Sequence, residues 1–140
     1  MSASGRQQWL QPMVVVSGVY LVAGVTFAAL AARAPTDSVR VAWRMAAWLT
    51  GAAAFAGHLV YEQMRLRNSP RTTAWHASLA VAAGAFAYAV AANVHALWAT
   101  ASPHRFLASA LVVWPVVSAV PAFVTALAVA TGLARWRPST

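Results

Sequence analysis

Residues 13–32 read MVVVSGVYLVAGVTFAALAA, an uninterrupted stretch without a charged side chain. A helix needs about 20 predominantly apolar residues to cross the hydrocarbon core of a bilayer, so this stretch predicts a transmembrane helix. The apolar core of a cleaved signal peptide is about 7–15 residues long, which favours a retained span over a signal peptide. Pro12 precedes the stretch and Pro35 follows it, so we expect the helix to begin beside one proline and end before the other.

Three more apolar segments follow, at about residues 41–64, 74–100 and 106–133. The connections between them are short and polar, and short connections force successive helices to lie antiparallel. The sequence therefore predicts an all-α protein with a single transmembrane domain, folded as a polytopic up-down-up-down bundle of four helices. Asp37 or Ser38 is expected to cap the second helix, and Thr72 or Thr73 the third.

The composition agrees with a lipid environment. Hydrophobic residues make up 61% of the chain and charged residues 9%, whereas soluble domains carry about 25% charged residues. The formal net charge is +8, and every basic residue is an arginine. Although a basic protein suggests a nucleic-acid partner, these arginines lie in the breaks between apolar segments instead of on one helical face. We therefore expect membrane lipids as partners and no nucleic acid.

The arginines also predict the orientation of the chain. The side that carries both termini and the middle connection holds Arg6, Arg65, Arg67, Arg71, Arg135 and Arg137. The other side holds Arg33, Arg40, Arg44 and Arg105. Positive charge concentrates on the cytoplasmic side of multi-span proteins, so both termini are predicted to be cytoplasmic. The division of six arginines to four also leaves a dual topology as an alternative. The composition, rich in alanine and arginine without lysine, is typical of a GC-rich bacterial genome, which points to the bacterial inner membrane.

A polar cluster is predicted at the cytoplasmic end of the second helix. The spacing of His58, Tyr61, Glu62 and Arg65 places them on one helical face, and His76 enters the third helix at a similar depth. Ionisable residues within spans often mark pathways or ligand sites. The alternative is an interfacial network in which Glu62 pairs with Arg65 and neighbouring groups satisfy the histidines.

A second cluster is predicted toward the other end of the third helix. Tyr88, His95 and Trp98 share one side of that helix. Hydrogen bonds between helices and an aromatic belt at the membrane surface explain such residues without a ligand, and this interpretation competes with a second site.

The histidines raise the question of a cofactor. His58 and His76 are the only pair at comparable depth, and two imidazoles from adjacent helices can bind haem b iron axially. His58 and Glu62 together with His76 also have the composition of a two-histidine, one-carboxylate metal site. The HxxYE pattern is not a recognised zinc signature, so no metal is predicted, and haem b stays an open alternative to a protein without a cofactor.

The functional hypotheses rest on missing motifs. The chain has no nucleophile elbow, phosphate loop or dinucleotide fingerprint, so enzymatic activity is not expected. The leading hypothesis is a non-catalytic accessory or interaction subunit, in a homo-oligomer or a larger membrane complex. The alternatives are a small homo-oligomeric channel or transporter, and a haem- or quinone-binding electron-transfer protein. Pairs of small residues that permit close helix packing include Gly24-Ala28, Ala53-Gly57 and Ala80-Gly84.

Overall fold

The fold is all-helical, as predicted. The computed structural model describes the backbone of residues 3–98 and 104–136, and the side chains of residues 10–97 and 109–136. It contains α1 (Ala3–Ala32), α2 (Asp37–Met64), α3 (Pro70–Trp98) and α4 (His104–Arg135). Residues 99 and 100, where the sequence places the end of the third helix, lie outside the described residues.

The beginnings of three helices differ from the sequence prediction. α1 begins at Ala3 rather than beside Pro12, because polar residues end an apolar segment without ending a helix. The N-cap of α2 is Thr36, whose Oγ1 accepts a hydrogen bond from the Val39 amide at 3.3 Å. At α3 the amide of Thr72 donates to Ser69 Oγ at 3.2 Å. The caps are therefore Thr36 and Ser69. They lie one to four residues before the predicted caps, which were Asp37 or Ser38 for α2 and Thr72 or Thr73 for α3.

The helices pack unevenly against one another. α1 contacts both α2 and α3 extensively, α3 packs along α4, and α2 reaches α3 and α4 over a smaller area. The register of α1 on α3 is marked by Ser17, whose Oγ donates to the Ala80 carbonyl at 3.0 Å. At the end of the bundle where α2 gives way to α3, a small core unites three helices. It consists of Leu59, Ala74, Ala77 and Ala126, with Phe55, Phe123 and Leu127 packed against it.

Small residues fill the interior and large apolar residues cover the outside. Among the described side chains the buried hydrophobic residues are alanines, except for Val16 and Leu59. Large apolar side chains face outward on every helix; Trp48 is 76% exposed and Val112 is 67% exposed. Lipid-embedded helices associate through small residues that let their backbones approach closely, while large apolar side chains contact the acyl chains.

Three of the four helices are long and apolar enough to cross a membrane: Leu10–Ala32, Pro70–Leu97 and Ser109–Arg135. α2 does not meet the same criterion, although its 28 residues are long enough. Its sequence carries Asp37, Arg40 and Arg44 near the start and His58 and Glu62 near the end, which lowers its mean hydropathy. These findings support a membrane protein on grounds of length and composition.

Candidate functional site: a buried carboxylate between two histidines

The candidate site lies where α2 turns into α3. His58 and Glu62 are one helical turn apart on α2, and the short connection after Met64 brings the first turns of α3 beside them. Four residues from two successive turns of α2 are buried here: His58, Leu59, Glu62 and Gln63. His76 and Thr73 contribute the opposing side chains from α3. The hairpin geometry therefore assembles a polar cluster within the protein interior.

Glu62 is the centre of this cluster, and its side chain is 0% exposed. Its Oε1 lies 3.0 Å from Nδ1 of His76, at hydrogen-bond distance. Its Oε2 accepts a hydrogen bond from Nδ2 of Asn68. The backbone amide of Asn68 also donates to the backbone carbonyl of Glu62 at 3.3 Å. Two hydrogen bonds therefore join the α2–α3 connection to Glu62. Both carboxylate oxygens are thus engaged by neighbouring groups, as a buried carboxylate requires.

His58 approaches the same carboxylate without forming a hydrogen bond. Its Nε2 lies 4.0 Å from Glu62 Oε1, and its side chain is 0% exposed. Neither ring nitrogen of His58 has a hydrogen-bond partner among the described residues. A buried polar group without a partner costs about 1–3 kcal/mol. His58 is therefore the one member of the cluster whose burial is not offset by hydrogen bonding.

Three residues that the sequence prediction missed complete the network. Gln63 Nε2 donates to Thr73 Oγ1 at 2.8 Å and to the backbone carbonyl of Asn68 at 3.4 Å. Thr73 precedes His76 by three positions, a spacing that places both on one face of α3 and that could have revealed it. Asn68 follows Arg67, whose φ of 50° is in the left-handed region, and no pattern in the sequence indicates this reversal.

Tyr61 and Arg65 do not join the cluster. Tyr61 is 42% exposed, and Arg65 is exposed at the C-cap of α2. Among the described residues no ion pair links Arg65 to Glu62, whose partners are His76 and Asn68 instead. Successive residues of a helix are about 100° apart around its axis. The buried face of α2 is therefore centred closer to Leu59 than the predicted face, which included Tyr61 and Arg65. The cause is the core around Leu59, which turns that side of α2 toward α3 and α4.

The second predicted cluster is not assembled as a hydrogen-bonded group. Tyr88 lies against α1, where a Cβ added to Gly24 would be 2.9 Å from Tyr88 Cδ2. His95 is exposed, and within the described part of the chain no hydrogen bond joins it to Tyr88. The side chain of Trp98 lies outside the described residues. Tyr88 therefore has a packing contact between two helices.

The geometry limits what the first cluster can hold. Within residues 10–97 and 109–136, no group of three or more His, Asp or Glu side chains is placed to hold a metal ion. Haem b bound by His58 and His76 stays a prediction. In this arrangement Nδ1 of His76 faces Glu62, and among the described residues neither ring nitrogen of His58 has a hydrogen-bond partner. The interaction that the cluster shows directly is the contact between an imidazole and a carboxylate at hydrogen-bond distance.

Comparison with known proteins adds no family to this description. No protein-family model matches the chain, and no curated protein and no solved structure is detectably similar to it.

Proposed function

We propose that this chain is a four-span protein of the bacterial inner membrane that acts as a non-catalytic interaction subunit. Its buried polar residues stabilise the packing of the helices, and its outer surface contacts lipid and partner helices. Both termini lie in the cytoplasm in this proposal. The polar cluster around Glu62 then lies near the cytoplasmic end of the bundle.

The observation that carries the proposal is the distribution of large and small side chains. Leaving one large apolar side chain in water forgoes about 1.5–3 kcal/mol of burial free energy. Trp48, Leu97 and Val112 are each at least 67% exposed, and α1, α3 and α4 expose many similar residues. A monomer in water rarely exposes so large an apolar surface, whereas acyl chains solvate it without cost.

α2 fits this proposal because its polar half faces protein. His58, Glu62 and Gln63 are buried against α3 and the connection, so they do not contact lipid. Polar residues in spans usually face the bundle interior and pair with one another. Arginines are exposed at both ends of the bundle: Arg33 and Arg44 at one end, and Arg65, Arg67 and Arg71 at the other. This placement agrees with contact between each end and lipid headgroups.

The cluster itself supports a structural role over a catalytic one. A general acid or base must come within hydrogen-bond reach of a substrate. Glu62 is fully buried, and its two oxygens are already engaged by His76 and Asn68. These contacts connect α2, the connection and α3, so they stabilise the hairpin.

An exposed strip on α2 supports association with another helix. Ala52, Ala53, Ala56 and Gly57 are all exposed, and no atom of the described residues lies within 4 Å of a Cβ added to Gly57. Small residues at a helix surface let a second helix approach closely in lipid. The strip therefore offers a contact for a second copy of the chain or for a partner subunit.

The test is the oligomeric state of the full-length chain in mild detergent, measured by light scattering after size-exclusion chromatography, together with the polypeptides that co-purify. The Gly57→Leu variant should release the partner or dissociate the oligomer while the separated chain stays helical, which circular dichroism measures. Gly18→Leu is the matched control, since Gly18 also has no atom within 4 Å of an added Cβ but lies on α1. A wild-type protein that is monomeric and without partners would contradict the proposal.

The competing function is movement of protons or cations through an oligomer. One observation favours it: among the described residues, the buried imidazole of His58 beside the Glu62 carboxylate has no hydrogen-bond partner. A flux assay in liposomes separates the two functions. Flux that the wild type supports and Glu62→Gln abolishes would replace the subunit proposal with a transport function.

A further inference from the structure

A groove lies at the opposite end of the bundle from the Glu62 cluster, between α1 and α2. Its volume is about 630 Å³, within the range of about 300–1,000 Å³ that is usual for sites that bind small molecules. Alanines and Gly24 form much of its walls, Tyr88 of α3 contributes to its lining, and Arg40 and Arg44 also line it. Phe27, another lining residue, is held in place by stacking on Trp43, with ring centroids 6.1 Å apart.

The two arginines of the groove differ in their partners. Arg40 Nη1 lies 2.6 Å from Asp37 Oδ1, so its charge is paired within the first turn of α2. Arg44 is exposed, and among the described residues it has no ion-pair or hydrogen-bond partner. Guanidinium groups bind phosphate through two parallel N–H donors, and Arg44 is the lining residue of this groove whose charge is not paired within the described residues.

The depth of the groove indicates the rest of the ligand. From Ala32 at the end of α1 to Gly24, the wall runs about 12 Å along the helix at 1.5 Å per residue. In a bilayer this wall extends from the headgroup region into the hydrocarbon, with the arginines on α2 in its first turns. A ligand that matches it has an anionic head and an apolar chain.

We propose that this groove binds an anionic glycerophospholipid from the surrounding bilayer, with its phosphate on Arg44 and one acyl chain along α1 and α2. The proposal rests on the membrane location proposed above. A lipid fits better than an apolar neighbouring helix, because a lipid supplies the anionic group that pairs with the exposed guanidinium.

Native mass spectrometry of the full-length protein in a neutral detergent tests the site. We expect phosphatidylglycerol to form one saturable adduct, with at least tenfold higher affinity than phosphatidylethanolamine with the same acyl chains. Arg44→Gln should lower the phosphatidylglycerol affinity about tenfold, and Arg44→Lys should lower it less because a point charge remains. Arg33→Gln is the matched control, because Arg33 is exposed near the same end and does not line the groove.

A second variant tests the groove without changing the charge. Ala28 lines the groove, so Ala28→Leu should narrow it and weaken both lipids while the melting temperature stays unchanged. Equal affinities for the two lipids, or equal losses in Arg44→Gln and Arg33→Gln, would overturn the proposal. A protein dimer that seals the groove without lipid would overturn it as well. Extraction of the native membranes with alkaline carbonate distinguishes the two levels: a chain released into the supernatant refutes the membrane location itself, whereas a retained chain without lipid selectivity refutes only the site.

Discussion

Tyr20 of α1 packs directly against Gly84 of α3, so that a Cβ added to Gly84 would lie 2.7 Å from Tyr20 Cβ. The same two helices repeat this contact in reverse one turn further on, where Tyr88 of α3 lies against Gly24 of α1. Each helix thus presents a tyrosine and a glycine four residues apart, and each tyrosine meets the glycine of the other helix. This reciprocal packing fixes both the distance and the register between α1 and α3.

Gly84→Ala should destabilise the protein. The obstructing atom is Tyr20 Cβ, which cannot move without moving α1, so the cost should be that of overpacking, about 1–3 kcal/mol. Gly24→Ala should cost less, because its nearest atom belongs to the Tyr88 ring, which can rotate away. Thermal unfolding in detergent measures both variants. Gly18→Ala is the control and should be neutral or stabilising, since alanine favours helix over glycine and no atom lies within 4 Å. Equal melting temperatures for all three variants would refute the packing argument.

Glu62→Gln should destabilise the α2–α3 hairpin. The glutamine keeps the size of the side chain but replaces a carboxylate that accepts hydrogen bonds from Asn68 and faces Nδ1 of His76. Hydrogen bonds to charged groups contribute about 1.5–3 kcal/mol each, so the loss should be clear in chemical unfolding in micelles. Asp37→Asn is the control, because its ion pair with Arg40 is exposed and such pairs contribute little. A smaller effect at Glu62 than at Asp37 would contradict a structural role for the cluster.

The two histidines should respond differently to the same substitution. His58→Leu removes a buried imidazole whose nitrogens have no hydrogen-bond partner in the part of the chain that the structure describes, so stability should be unchanged or raised. His76→Leu deprives Glu62 Oε1 of its partner at 3.0 Å, so stability should fall. Melting temperatures of the two variants, compared with that of wild type, measure the difference. A larger loss in His58→Leu than in His76→Leu would indicate that His58 has a ligand or a functional partner.

The absorption spectrum of the purified protein should show no Soret band. The non-catalytic subunit proposed here has no cofactor, and His76 already directs one ring nitrogen at Glu62. A Soret band in wild type that disappears in His58→Ala and His76→Ala would support the electron-transfer hypothesis instead. His95→Ala is the control for that spectrum, since His95 is exposed near the other end of α3.

The helices could be predicted from the sequence because each contains a long apolar segment. Four apolar segments predicted four helices, and the prolines and polar connections predicted where the helices are separated. The start of α1 could not be predicted from Pro12, because a helix continues beyond its apolar segment into polar residues when no residue stops it. The hydropathy pattern reports where the apolar stretch ends, which differs here from where the hydrogen-bonded helix ends.

The site could be predicted only in part. The i, i+4 spacing placed His58 beside Glu62, and the short connection brought His76 to the same depth. Tyr61 and Arg65 were predicted to join them, but the rotation of α2 is set by Leu59 in a core shared with α3 and α4. The sequence of one helix does not contain that information. Asn68 depends likewise on the left-handed backbone at Arg67, which no residue pattern indicates.

The side of the membrane on which each end of α2 lies tests the four-span proposal most directly, since α2 is the helix whose composition falls short of a span. The chain has no cysteine, so Ser38→Cys and Ser69→Cys each introduce a unique label site, both exposed, one at each end of α2. An impermeant maleimide added to intact spheroplasts should label the cysteine at 38 and should label the cysteine at 69 only after lysis. Labelling of both cysteines from the same side would show that α2 does not cross the bilayer and would contradict the account.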